Sequence, residues 1–228
     1  GAKMWITSAT VADFFTVAAK TDPEAGFRGV DLFLVEKERE GVSVGRMIKK
    51  LGTRASETSE VILQNVWVPQ ENLLSETEGQ GMVLLRGILD EIRVMTGALS
   101  VGLAQAALNS ALRYARERQA FGRPIVKFQA IQHKLADMAT QLEVARTMVY
   151  RATWLIDQGQ PDTRISAMAK LFASEMANHV ADEATRIFGA YGYAMEFDVQ
   201  RYYRDARFLL YGGGTSEILK NMIARELL

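Results

Sequence analysis

A helical pattern about 35 residues long, from residue 82 to residue 118, constrains this chain more than any other stretch. Leu85, Ile88, Leu89, Ile92, Met95 and Leu99 recur mostly three and four apart, the repeat of one helix face. A helix of about 35 residues is on the order of 50 Å long and needs partners of similar length. Residues 128–158 supply one, with Ile131, Leu135, Met138, Leu142 and Ala145 on a stripe, ended by Gly159 and Pro161. A third pattern starts at Asp162 or Thr163 and runs to Phe188, where Gly189 and Gly192 break it. A short helical piece near residues 199–203 and a glycine run at residues 212–214 follow. Thr215 then suits the N-cap of a last helix, with Ile218 and Met222 on its apolar side. Ten methionines and many alanines suit close helix packing. Residues 79–228 therefore predict an up-and-down four-helix bundle.

Residues 1–78 read differently. Residues 4–7, 14–19, 29–35 and 60–68 are short β-branched or aromatic runs separated by turn formers. Four or five strands are too few to close a barrel, so this is expected to be a partial antiparallel β domain. The expected fold class is α+β, mainly α.

Charge and composition exclude several functions. Twenty-seven basic residues balance twenty-seven acidic ones, so no global field favours nucleic acid or an anionic membrane. The absence of cysteine removes disulfides, thiolate metal sites and a cysteine nucleophile. Two separated histidines, His133 and His179, point to no metal centre. No apolar run is long enough to span a bilayer and no leader precedes the body. A soluble protein is expected, cytoplasmic in a bacterium or in the mitochondrial matrix of a eukaryote.

The break between the first two long helices reads Arg-Gln-Ala-Phe-Gly-Arg-Pro from Arg118 to Pro124. Gly122 relaxes the backbone and Pro124 disfavours helix at Arg123. Arg118 and Gln129 then lie near one end of a helical hairpin. A guanidinium there can fork onto phosphate, and a carboxamide can donate and accept. By themselves these residues fit a plain solvated corner better than a binding site. Glycines at residues 122, 189, 192 and 212–214 sit at further helix ends, where exposed amides can meet an anion.

Taken together, the motifs resemble the flavin-dependent acyl-CoA dehydrogenases. The resemblance rests on residues 1–7, Lys50-Leu51-Gly52, Val68-Pro69, residues 118–122 and 128–132, Arg204-Asp205-Ala206-Arg207 and Gly214-Thr215-Ser216-Glu217-Ile218. It covers essentially the whole chain, and its motifs in this order are specific. It implies an FAD cofactor, an acyl-CoA substrate, an electron-transferring flavoprotein or similar acceptor, and a homotetramer or homodimer. The family's N-terminal helical domain and the first half of its β domain have no counterpart in these 228 residues.

The resemblance also implies roles. Trp5 and Thr7 match residues against the flavin ring. Arg118 and Gln129 match residues that hold the pyrophosphate and adenosine half of FAD, typically of a neighbouring subunit, with Phe121 at the same corner. Arg186, Gly189 and Ala190 match a loop over that FAD, although Arg186 replaces a common Gln and Ala190 a common Gly. Thr215 and Glu217 match the helix start near the diphosphate. Asp90 and Arg93 match a pair that meets the CoA portion of the substrate; read alone they are an i,i+3 surface pair.

The catalytic base departs from the pattern. Dehydrogenation needs a carboxylate to take the α-proton while hydride leaves the β-carbon. In much of the family that Glu stands two residues before the Gly-Thr threonine, which here is Gly213. A minority place it immediately before the arginine of the first bundle helix, which here is Ile92. Neither can accept a proton. Glu91 is a weak candidate, since one residue along a helix turns a side chain by about 100°. The base is unassigned. The leading expectation is FAD-dependent α,β-dehydrogenation of an acyl-CoA. The alternatives are enoyl-CoA reduction or another elimination on the same cofactor, or an inactive oligomerising subunit.

Overall fold

In a computed structural model of the chain, which describes residues 1–75 and 77–228, alternation in the first third becomes strands. The strands are β1 (Ala2–Thr7), β2 (Phe14–Lys20), β3 (Val30–Glu36), β4 (Val42–Val44) and β5 (Thr58–Leu63). β2 and β3 pair antiparallel, setting Phe15 opposite Val35 and Val17 opposite Phe33. β1, β5 and β4 form a second antiparallel sheet in that order. Side chains on one face of each strand meet in a core of Ala9, Phe15, Val17, Val35 and Val61, as the two-residue period dictates. The run expected at residues 60–68 is shorter than expected. It starts earlier, at Thr58, and ends at Leu63, just before Asn65 takes a positive φ of 50°. The three-residue β4 carries too short a period to be seen in the sequence.

The helical part follows as α1 (Gly81–Glu117), α2 (Gln129–Asp157), α3 (Thr163–Phe188), the short α4 (Asp198–Ala206) and α5 (Ser216–Leu227). The chain divides into two compact units, residues 1–88 and 89–228. Within the second unit, Val101, Ala104, Leu108 and Ala111 of α1 pack with Leu135, Met138 and Leu142 of α2 and Ala169, Ala173, Met176 and Val180 of α3. Small residues set the helix spacing. A Cβ added at Gly97 would lie 2.9 Å from Val149 Cγ2, so α1 and α2 touch there almost backbone to side chain. Asp162 caps α3 by accepting from Ile165 N at 3.0 Å, and Thr215 caps α5 by accepting from Ile218 N at 3.4 Å. Among the described residues no helix is long and apolar enough to cross a membrane.

Two expected faces are offset from the buried one. The apolar stripe of α1 is not its core face: Met95 and Leu99 are 64% and 61% exposed. The buried face instead carries Asp90, Arg93, Val94, Thr96, Ser100 and Val101. Its small and polar residues have low hydropathy, so a hydrophobicity pattern points to the wrong side of the helix. On α5, Ile218 faces outward, Met222 is half-buried and Leu219 is the fully buried anchor.

A lone carboxylate holds the start of α1. Asp31, fully buried on β3, accepts from Gly79 N at 2.9 Å, Gly81 N at 3.2 Å and Thr21 Oγ1 at 2.8 Å. Burial pushes its pKa up, but donation from Gly79, Thr21, Gly81 and Ser75 outweighs this and leaves it below the usual value. The native state therefore binds this proton less readily than the unfolded chain. The stabilisation is full above the ordinary carboxylate range near pH 4 and is lost as pH falls from there through the lowered pKa of folded Asp31. Asp31→Asn should lower the denaturation midpoint of the first unit at pH 7, and the gap from wild type should narrow by about pH 3. Unfolding followed at both pH values checks this; an unchanged gap contradicts it.

Candidate functional site

The first cluster is the corner between α1 and α2. A two-residue ladder pairs Gln119–Ala120 with Arg123–Pro124, closed by Phe121 and Gly122 at positive φ of 51° and 76°. That left-handed turn is uncommon for a bulky residue, and it throws Phe121 outward, 95% exposed. Its ring sits edge-on to Phe128 at 6.1 Å. Arg118 lies with its guanidinium 5.6 Å from the centre of the Tyr191 ring. Among the described residues no carboxylate pairs with Arg118, and Gln129 stands exposed at the first position of α2. Gly189 ends α3 with φ 62° and open space where a side chain would be, and Ala190 is exposed beside it. The structure thus brings Arg118 to the 189–193 turn through Tyr191. An exposed cation with no carboxylate partner, an amide at a helix start and an outward aromatic ring fit a ligand with an anionic part and a planar part. Arg186 fits less well. Its Nε is 2.7 Å from Asp182 and 3.7 Å from Glu183, and these carboxylates raise its pKa.

The second cluster surrounds Asp90 and Arg93, and it is not a surface pair. Both are buried, with 2.6 Å between Arg93 Nη1 and Asp90 Oδ1. Thr163 Oγ1 donates to the other carboxylate oxygen at 2.6 Å, so Asp90 is satisfied by protein groups, while Arg93 Nε is buried without a partner. Lys170 of α3 is fully buried and donates to Gly214 O at 2.6 Å and Leu210 O at 3.3 Å. Burial above all pushes its pKa down to about 8; Arg93 adds to this and Glu175 opposes it. Lys170 thereby ties the glycine loop to α3. Sequence reasoning missed Lys170 and Thr163. The available signal was a single lysine among Ala167, Ala169 and Ala173 on one buried helix face.

The two positions where the base was sought lie side by side. Gly213 has φ 72°, and a Cβ built on it would lie 3.4 Å from Thr96 Oγ1, 3.6 Å from Ile92 Cγ2 and 3.8 Å from Arg93 Cα. Glu91 is exposed on α1. Glu217 is exposed in the first turn of α5, its pKa lowered by its own backbone N–H and then by Thr215.

In the first unit, Trp5 sits at a break in the β1–β5 register between Lys3 and Ile6. Its φ is 63° and it is 65% exposed. A bulge re-aims a side chain in this way, and a bulky residue at positive φ marks a strained position. Thr7 is exposed opposite Thr58.

Comparison with known proteins identifies the family. Residues 79–228 match the acyl-CoA dehydrogenase C-terminal domain and residues 1–66 the acyl-CoA dehydrogenase middle domain. The benzylmalonyl-CoA dehydrogenase of Aromatoleum aromaticum is 55% identical over 227 residues, covering all of this chain and 59% of that enzyme. The butyryl-CoA dehydrogenase of Megasphaera elsdenii superposes with a TM-score of 0.97 at 40% identity, covering the whole chain and 59% of the other. The structure of PigA with FAD and proline superposes with a TM-score of 0.95 at 36% identity, again covering all of this chain and 59% of that one. The chain spans about three fifths of these relatives. It belongs to the acyl-CoA dehydrogenase family.

Proposed function

We propose that this protein is an FAD-dependent acyl-CoA dehydrogenase that forms a double bond between C2 and C3 of a thioester and passes the electrons to an electron-transferring flavoprotein or similar acceptor. The observation that carries the reading is the corner between α1 and α2, which carries Arg118, without a carboxylate partner among the described residues, the outward Phe121 ring and the exposed Gln129. The bound FAD supplies a hydride acceptor. Arg118 would hold the pyrophosphate and Gln129 the adenosine half of the FAD of a neighbouring subunit, with Phe121, Gly189 and Ala190 shaping the corner. Trp5 would lie against the flavin ring and Thr7 would donate to its edge. Thr215 and Glu217 order the start of α5 near the diphosphate. Asp90 orients Arg93, which meets the substrate's CoA portion. Relatives named as dehydrogenases do not favour enoyl-CoA reduction, another elimination or an inactive subunit. The visible spectrum of the purified protein, followed through anaerobic titration with acyl-CoAs, tests the reading.

Within acyl thioesters, the class proposed is a 2-carboxyacyl-CoA with an aromatic group, a malonyl-type substrate. It is supported by the benzylmalonyl-CoA dehydrogenase at 55% identity across the whole chain.

A homodimer or homotetramer is the proposed assembly. Ile92, Met95 and Leu99 leave an apolar strip exposed along α1, and such strips are commonly covered by protein. Light scattering at micromolar concentration should give a mass at least twice that of the chain; a monomer contradicts the assembly.

A further inference from the structure

We propose that Lys170 is a positioning residue: its buried ammonium fixes the course of the glycine loop, residues 212–214, and through it the start of α5, so that affinity for FAD depends on a side chain that solvent does not reach. The proposal rests on the reading above that Thr215 and Glu217 stand near the diphosphate of FAD, and it adds what holds them there.

The chain from α4 to α5 runs along α3, and polar side chains of α3 meet it at both ends and in between. Asn178 Nδ2 donates to Ala206 O at 2.8 Å, where α4 ends. Glu175 accepts from Ser216 Oγ at 2.6 Å, where α5 begins. Between these two, Lys170 Nζ donates to Leu210 O at 3.3 Å and to Gly214 O at 2.6 Å. The outer contacts pin the ends of the segment, and Lys170 pins its middle.

The middle is the part that needs a tie. Gly213 and Gly214 have φ of 72° and 111°, and glycine leaves the backbone its widest freedom. A glycine loop also has no side chain to pack into the bundle. Gly212 N and Gly214 N bond to Phe208 O at 3.1 Å and Tyr211 O at 3.3 Å, which ties the loop to itself and not to α3. An ammonium has three donors and makes hydrogen bonds roughly twice as strong as a neutral donor does. Its pKa, pushed down to about 8 above all by burial, still leaves Lys170 charged at pH 7. A buried charge is unfavourable unless it is satisfied, so an apolar side chain would suit this face of α3 better if packing were its task. Gly214 directly precedes Thr215, whose Oγ1 caps α5 by accepting from Ile218 N. A shift of Gly214 therefore carries the first amides of α5 with it.

The test is run at pH 7 on the holoprotein, with amide hydrogen exchange read over residues 207–216 and FAD affinity read by flavin fluorescence. Lys170→Met has a similar length but no donor. It should raise exchange there and the FAD dissociation constant each by about tenfold, the effect of losing one hydrogen bond to a charged group. Exchange in the α2 core at residues 135–149 should stay as in wild type. Lys170→Gln keeps a neutral donor and should lose less. Met138→Ala, a core change on α2, should lower the urea midpoint without weakening FAD, which separates positioning of the loop from general stability. Unchanged exchange over residues 207–216 or an unchanged FAD constant in Lys170→Met overturns the proposal, as does a Met138→Ala that weakens FAD equally. If Lys170→Met does not fold, Lys170→Gln against wild type decides by the same two readouts. Arg118→Ala, measured alongside, keeps the flavin reading distinct. Weaker FAD in that variant with none in Lys170→Met sinks this proposal alone, and an apoprotein that takes up no FAD sinks both.

Discussion

Asp90→Ala is expected to lower the stability of the helical unit by about 3–5 kcal/mol, the cost of breaking a buried ion pair from one side. The number follows from what the substitution leaves behind. Arg93 is 6% exposed, its Nη1 loses the carboxylate at 2.6 Å, and its Nε already lacks a partner. Thr163 Oγ1 loses its acceptor as well. Asp90→Asn keeps the shape and an acceptor oxygen, so it should cost less. The midpoint of urea unfolding, read by far-ultraviolet circular dichroism, checks both. Equal midpoints for Asp90→Ala and wild type would mean that the pair contributes nothing, as exposed pairs often do.

Arg118→Ala should raise the dissociation constant for FAD by about 10- to 150-fold, whereas Arg116→Ala should leave it nearly unchanged. A lost charge-assisted contact to phosphate typically costs about 1.5–3 kcal/mol, and each 1.4 kcal/mol is tenfold. Both arginines are exposed near the end of α1, so net charge and helix-end effects are matched. Only Arg118 lies beside the Tyr191 ring at the corner turn. Flavin fluorescence during titration of the apoprotein measures the two constants, and equal values contradict the assignment of Arg118.

Much of this was legible in the sequence, and the failures share a cause. The core stripes of α2 and the extent of α3 follow from apolar periodicity, because their buried faces are mostly apolar, with Ser166, Lys170 and Ser174 the exceptions on α3. α1 is different. Its buried face carries Asp90, Arg93, Thr96 and Ser100, and its exposed face carries Met95 and Leu99, so hydrophobicity identified the helix but not its orientation. The same inversion hid the burial of Asp90 and Arg93. Asp31 and Lys170 are each one charged residue within an apolar run. Their partners are backbone groups distant in sequence, Gly79 and Gly81 for one and Leu210 and Gly214 for the other. Backbone partners leave no trace in residue type. The corner at Arg118 and Gln129 was legible because its Phe-Gly turn and the Pro at residue 124 are local signals. The empty base positions could also be read in sequence, but their meeting at one point could not. It depends on the glycine loop returning to α1 more than 100 residues later, with 3.6 Å between the Gly213 Cβ position and Ile92 Cγ2.

The most direct test is the visible spectrum of the holoprotein before and after anaerobic addition of benzylmalonyl-CoA. A bound flavin that is released as FAD on denaturation, and whose absorption bleaches within the mixing experiment, is the expected result. A protein that takes up no flavin on reconstitution, or whose flavin absorption is unmoved by this and every other acyl-CoA tried, would contradict the assignment.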